Sequence, residues 1–125
     1  MSTMIEDARI VITGGAGFIG SSLAERLCER NQVILFDNLH RNAVIGTDLL
    51  EHPNVTLVRG DVLDRDSLKP VIDDADIIVH MASIAGVDTV MKNPTLTMRV
   101  SLIGTINALQ LAYEGARCER FVDFS

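Results

Sequence analysis

The chain has 125 residues, of which 47% are hydrophobic and only 4% aromatic, so one domain must build its core from aliphatic side chains and alanine. A formal net charge of -6 with no basic run excludes a nucleic-acid or anionic-membrane surface, since both are bound through clustered Lys and Arg. No apolar run reaches the roughly 18 residues of a membrane span, no basic leader precedes the first apolar segment, and Cys28 and Cys118 lack metal-ligand spacing, so both are expected as reduced thiols of a cytoplasmic protein.

In chain order, Ala8 to Thr13 (ARIVIT) is a continuous apolar run of strand length. Phe18 to Arg30 follows, with Ile19, Leu23 and Leu27 four apart on one helical face. Gln32 to Asp37 (QVILFD) predicts a second strand. The polar stretch 38–54 carries only a weak helical signal, around Ala43 to Leu50. Val55 to Asp61 predicts a third strand, Arg65 to Ile72 a short helix capped by Asp64, and Asp76 to Ala82 a fourth strand. Pro94 to Tyr113 predicts a long helix, with Asn93 at the N-cap and Pro94 at its first position. Arg120 to Ser125 (RFVDFS) predicts a fifth strand. Strands apolar on both faces and separated by helices form a parallel sheet covered on both sides. Right-handed crossovers wind it doubly. The predicted fold class is therefore α/β, a Rossmann-type sheet of about five strands in one domain, residues 1–125.

Four glycines, Gly14, Gly15, Gly17 and Gly20, sit at the first strand-to-helix turn. They satisfy G-x-G-x-x-G from Gly15 and G-x-x-G-x-x-G from Gly14. One glycine permits the tight turn, a second admits a pyrophosphate against the backbone, and Gly20 is expected to let the helix approach the sheet. The phosphates would rest on the amides and the positive end of the helix starting near Phe18. A ligand-free tight turn is the competing reading. The strand before and helix after the motif favour the ligand.

Asp37 ends the second strand, where a carboxylate accepts the adenosine ribose hydroxyls of NAD and repels the 2′-phosphate of NADP. A plain turn cap is the alternative. Arg41 lies close by and can pair with a 2′-phosphate, but the acid occupies the strand end itself, so NAD is preferred over NADP. Asp61 and Val62 are expected beside the adenine ring. His80 to Ser83 are expected to face the pyrophosphate and nicotinamide ribose, with His80 a buried, hydrogen-bonded histidine rather than a catalytic one. His40 and His52 carry no signal.

The segments TGGAGFIG (Thr13 to Gly20), DN (Asp37, Asn38), GDV (Gly60 to Val62), HMAS (His80 to Ser83), NP (Asn93, Pro94), GTINAL (Gly104 to Leu109) and RFVDFS occur in this order. Together the chain resembles the extended short-chain dehydrogenase/reductase family, in its NAD-dependent epimerase/dehydratase branch acting on nucleotide sugars. The resemblance implies that Gly14, Gly17, Phe18, Ile19 and Gly20 form the pyrophosphate turn, and that Asp37 and Asn38 hold the adenosine ribose. It implies adenine contacts from Asp61 and Val62, and a cofactor end lined by Met81, Ala82 and Ser83. It further implies a homodimer through the 94–113 helix, whose apolar positions wrap more than one face; plain core packing is the alternative. Ser101 stands where the family usually has asparagine, and its hydroxyl can still donate one hydrogen bond.

In that family the catalytic Ser or Thr follows the strand that RFVDFS represents, and a Tyr-x-x-x-Lys pair comes later. Here the only tyrosine is Tyr113, followed four residues on by Arg117, and Lys69 and Lys92 lie upstream. The resemblance implies hydride transfer from a sugar carbon to NAD, with tyrosinate as base, before epimerisation, dehydration or decarboxylation. The chain therefore reads as the cofactor-binding front part of an isomerase or lyase that uses oxidoreductase chemistry. Two alternatives stand: the front part of a related carbonyl reductase, and a non-enzymatic dinucleotide sensor. The 125 residues alone are expected to self-associate through uncovered apolar faces and to turn over no sugar. Steady epimerisation or NADH production by the isolated chain, followed at 340 nm, would contradict the second expectation.

Overall fold

The computed structural model describes residues 4–40, 42–44, 47–84, 87–115 and 117–124. Strand β1 (Arg9–Thr13) turns into helix α1 (Phe18–Leu27), which returns to β2 (Gln32–Asp37). After a 3-10 turn at Leu49–Glu51 come β3 (Val55–Arg59), α2 (Arg65–Asp73) and β4 (Ile77–His80). Helices α3 (Val87–Lys92), α4 (Pro94–Arg99) and α5 (Thr105–Gly115) follow, the last two joined by a π segment over Val100–Gly104, and β5 (Arg120–Asp123) comes last.

The sheet order is β3-β2-β1-β4-β5, with every neighbouring pair parallel. This is the Rossmann-type doubly wound α/β sheet. The register aligns Ile10 with Val33, and Val11 with both Ile34 and Ile78. Because strand side chains alternate with period two, the apolar runs divide between two cores. Ile10, Ile12, Val33, Leu35 and Val79 pack with Ala24 and Cys28 on the α1 side. Val11, Ile34, Phe36 and Ile78 pack with Leu68 and Ile72 of α2 and with Ala108 and Leu111 of α5. A strand buried on both faces can be apolar throughout, which is why its sequence shows a run rather than an alternation.

Several elements depart from the sequence expectation for local reasons. Helix α1 ends at Leu27 rather than Arg30, because the buried Asn31 side chain takes over its end. Asn31 Nδ2 donates to Leu27 O (3.0 Å) and Ile5 O (3.1 Å), and Asn31 Oδ1 accepts from Ala8 N (3.0 Å). Of the helix expected around Ala43 to Leu50, residues 45–46 lie outside the described residues, and the rest shows only the 3-10 turn. Asn42 Oδ1 accepts from Val44 N, and Thr47 bonds back to Val44 O through both its N–H and its hydroxyl. Such side-chain bonds compete with helix formation. Helix α3 was not predicted. The expected 94–113 helix contains the π segment and extends to Gly115. Asn93 holds the N-cap position without a side-chain cap bond, whereas Asp64 caps α2 from its carboxylate. Full cover on both sides fails at β5, an edge strand that exposes Arg120, Val122 and Asp123. No helix among the described residues is long and apolar enough to cross a membrane, and both cysteines are free thiols.

Replacing Asn31 by Ala strands three backbone groups and should cost about 2–3 kcal/mol. Asn31→Asp should cost nearly as much, because a carboxylate donates to neither carbonyl. Urea unfolding midpoints check both; an unchanged midpoint in Asn31→Ala would remove the clip's role.

Candidate functional site

A hollow of about 720 Å³ opens at the carboxyl ends of the strands, beside the point where the chain order reverses between β1 and β4. This is where open α/β sheets place ligands. Its floor is the glycine turn. Gly14 adopts φ of +71°, a conformation that penalises any side chain, and a Cβ there would lie 3.0 Å from the Ala82 backbone. A Cβ on Gly15 would meet Ile12 O at 2.8 Å and Leu35 Cα at 3.0 Å. Gly20, expected against the sheet, faces the turn instead: its Cβ would meet Gly15 Cα at 2.8 Å and Gly14 O at 2.9 Å. Gly20 thus lets α1 approach the turn at the end of β1, and Gly15 lets that turn lie on β1 and β2. At Gly17 a Cβ would meet only Gly14 O, at 3.3 Å, and Gly17 itself lines the hollow.

Gly17 is the N-cap of α1 and offers no side-chain cap. The first-turn amides of Phe18, Ile19 and Gly20 have no carbonyl within the helix to bond, and these three residues line the same hollow. An uncapped helix start with no Cβ in front of it is suited to an anion.

Asp37 closes the next wall. It is 8% exposed, and its Oδ2 accepts from Ala16 N at 3.0 Å while Oδ1 accepts from Leu39 N at 2.7 Å. The turn-capping alternative is thus realised, and it does not exhaust the group: each carboxylate oxygen keeps a lone pair for a further donor. Asn38 lines the hollow beside it, its Oδ1 accepting from His40 N. Asp61 and Val62 form the third side, beyond the strand rather than at its end, since β3 stops at Arg59. Gly60 makes the step over Phe36, whose ring a Cβ would strike at 2.5 Å. Met81, Ala82 and Ser83 form the fourth side.

Of the predicted residues, Arg41 lies outside the described residues, and Ser101 is exposed on the π segment rather than in the hollow's lining. His80, expected to face the cofactor with Met81 to Ser83, is buried behind the lining, and Gly15 lies beneath it; the other predicted residues meet there. Sequence reasoning missed Thr89, Leu96 and Val100, which line it from α3, α4 and the π segment, Asn93 between α3 and α4, and His40, read as carrying no signal. The spacing of Thr89, Asn93, Leu96 and Val100, i, i+4, i+7 and i+11, is one helical face and was the available signal.

His80 is 2% exposed, with Nδ1 2.7 Å from Thr13 Oγ1 and Nε2 3.2 Å from Thr105 Oγ1. Burial pushes its pKa below the ordinary imidazole value, against the pull of Asp123. Tyr113 is 87% exposed on α5, and neither tyrosine nor lysine occurs among the described lining residues. A second hollow of about 470 Å³ lies at the amino ends of the strands, where Arg9, Arg30 and Arg117 alternate with Asp7, Glu29 and Asp76. Its charges offset one another, as in the 3.2 Å Arg117–Asp76 pair.

Residues 10–125 match the model of the NAD dependent epimerase/dehydratase family. The chain is 36% identical over 110 residues to the UDP-N-acetyl-alpha-D-glucosaminuronate decarboxylase of Bacillus cytotoxicus, an alignment covering 87% of this chain and 34% of that one. Among solved structures, epimerase Mth375 of Methanothermobacter thermautotrophicus superposes with a TM-score of 0.85 at 31% identity, over 94% of this chain and 35% of that one. The Bordetella bronchiseptica enzyme WbmH, solved in complex with NAD+, gives 0.74 at 32% identity, over 93% and 38%. The chain thus spans about a third of the length of the relatives it matches.

The glycines separate folding from binding. Gly20→Ala drives a Cβ into backbone and should cost at least about 2 kcal/mol. Gly17→Ala should stay within about 1 kcal/mol of the parent, because its φ of -74° suits any residue. Thermal melts of the two variants check the contrast; equal losses would contradict it.

Proposed function

Because this chain belongs to the NAD dependent epimerase/dehydratase family, we propose that it is the NAD-binding portion of an enzyme that epimerises, dehydrates or decarboxylates a nucleotide sugar. The observation that carries this reading is the juxtaposition of an uncapped, glycine-fronted helix start with a buried strand-end carboxylate across one hollow. NAD, when bound, supplies a hydride acceptor. The chain's own residues bind and orient it. The amides of Phe18, Ile19 and Gly20 neutralise the pyrophosphate, at a helix end worth about 0.3–1 kcal/mol per anionic contact. Asp37 accepts the adenosine ribose hydroxyls through its remaining lone pairs. A 2′-phosphate would bring like charge against a carboxylate that is already desolvated. Asp61 and Val62 border the adenine, and Met81, Ala82 and Ser83 border the far end.

Proton transfer is not assigned to these residues, since the described lining has no tyrosine or lysine. The relatives' printed activities support a UDP-sugar as substrate. Leu102, Ile106, Leu109 and Tyr113, all more than half exposed on the π segment and α5, support a homodimer formed through the 94–113 helix. Free thiols and a nucleotide-sugar substrate suit the cytoplasm.

Calorimetric titration tests the cofactor. NAD should bind at least about tenfold more tightly than NADP, a difference of about 1.4 kcal/mol. Asp37→Asn should narrow that gap, and Gly17→Ala should weaken both ligands while leaving the fold intact. NADP binding as tightly as NAD, or Gly17→Ala binding like the parent, would overturn the assignment.

A further inference from the structure

The hydrogen bonds around His80 leave one arrangement of protons. Thr13 Oγ1 accepts from Met81 N at 3.0 Å, an N–H shared with Thr13 O at 3.1 Å, and from Ala82 N at 3.2 Å. A hydroxyl has two lone pairs and one proton. Both lone pairs are used, so the Thr13 proton goes to His80 Nδ1, 2.7 Å away, and Nδ1 carries no hydrogen. A neutral ring must then hold its proton on Nε2 and donate it to Thr105 Oγ1 at 3.2 Å. Thr105 in turn donates its own hydroxyl proton to Ser101 O at 2.6 Å. Every donor in the chain Thr13, His80, Thr105, Ser101 points the same way, from β1 through β4 to the π segment.

We propose that His80 is a positioning residue, locked as the neutral Nε2–H tautomer, that holds two walls of the hollow in register. One wall is the 81–82 backbone, hung from Thr13 and pressed against Gly14, where even one Cβ would not fit. The other is the π segment, whose Val100 lines the hollow and whose Gly104 packs so closely on Val62 that a Cβ would lie 2.6 Å from Val62 Cγ2. The lock is specific to one proton count. Adding a proton at Nδ1 turns that atom into a donor facing a hydroxyl whose lone pairs are both taken. Thr13 Oγ1 must then release Ala82, or release Met81 to its remaining bond with Thr13 O, and its own proton loses its acceptor. Acid therefore loosens the 81–82 wall of the hollow.

The groups packed on the ring are Thr13 from β1, Thr105 from α5, and Phe121 and Asp123 from β5. Asp123 alone among them is charged, and it favours the protonated ring while burial opposes it more strongly. The sign follows. The folded state holds the proton less tightly than the unfolded chain. Stability is therefore full above the ordinary imidazole pKa of about 6.5, falls as pH drops below it, and levels off once the folded ring is also protonated.

The consequence for affinity rests on the NAD reading above; the proton assignment does not. Long-range nitrogen–proton correlation spectra of the full chain read the tautomer directly, and the Met81 and Ala82 amide resonances report the wall. The Nε2–H pattern at neutral pH is expected, with both amides shifting along the His80 titration. The Nδ1–H form, a tautomer mixture, or amides that stay still while the ring titrates would overturn the proposal. Thr13 is buried, so the variant pair Thr105→Val and Thr105→Ser serves as the second arm. Valine should leave the Nε2–H without its acceptor and shift its resonance, and serine should restore it; identical spectra for both would also overturn the proposal. Where NAD binds, its Kd should rise by up to about tenfold per pH unit below the His80 pKa, the slope for one linked proton. A flat profile across that titration would refute the coupling, whereas failure of the parent to bind NAD at any pH would refute the cofactor reading and leave the spectra to decide the lock.

Discussion

The structure depends on the absence of side-chain volume where β1 runs into α1. Gly14 N donates to Phe36 O at 2.7 Å, joining the turn to β2, while its Cα side abuts Ala82 beyond β4. Gly15 lies on Ile12 and Leu35, and Gly20 lies on Gly15. Four segments thus meet where close packing leaves no room for a methyl group. Moving any of them outward would carry the first-turn amides of α1 away from the hollow. The backbone entropy that glycine loses on ordering is offset by this close approach, which also sets where an anion can sit.

The same turn settles the electrostatics. A carboxylate at 8% exposure forfeits much of its hydration, a cost of several kcal/mol in a protein interior. Two amide hydrogen bonds to Asp37, each worth about 1.5–3 kcal/mol when the acceptor is charged, offset most of it. One of those amides belongs to Ala16 inside the glycine turn, so the acid braces the turn that forms the floor of the hollow. Under the proposed function, structural and binding roles share one side chain. Ala43 N, donating to Ala16 O at 2.7 Å, ties the polar 38–54 stretch to the same point.

Cover is uneven across the sheet. β1, β2 and β4 are buried on both faces, whereas β5 and the outward sides of α4 and α5 keep large apolar groups in solvent. The π segment contributes to this division. It sets Gly104 against Val62 and lets Asn107 Nδ2 donate to Val62 O at 2.8 Å, while Leu102 and Ile106 turn outward.

The sequence by itself determined the fold class, the order of the five strands along the chain and most of the site. Continuous apolar runs of strand length, glycine spacing and strand-end acids are local patterns that survive without knowledge of neighbours, so Gly14, Asp37, Val62 and Ala82 could be placed on one edge in advance. Only the tertiary structure decided what required partners distant in sequence. The end of α1 at Leu27 depends on Asn31 reaching Ile5 and Ala8. The surfaces that Gly15 and Gly20 meet depend on which backbone packs on each one. The π segment interrupts a helix whose apolar spacing runs through it without a break. The state of His80 follows from four hydrogen bonds contributed by β1, the 81–82 backbone and α5, and proton positions follow from counting lone pairs in three dimensions rather than from residue order.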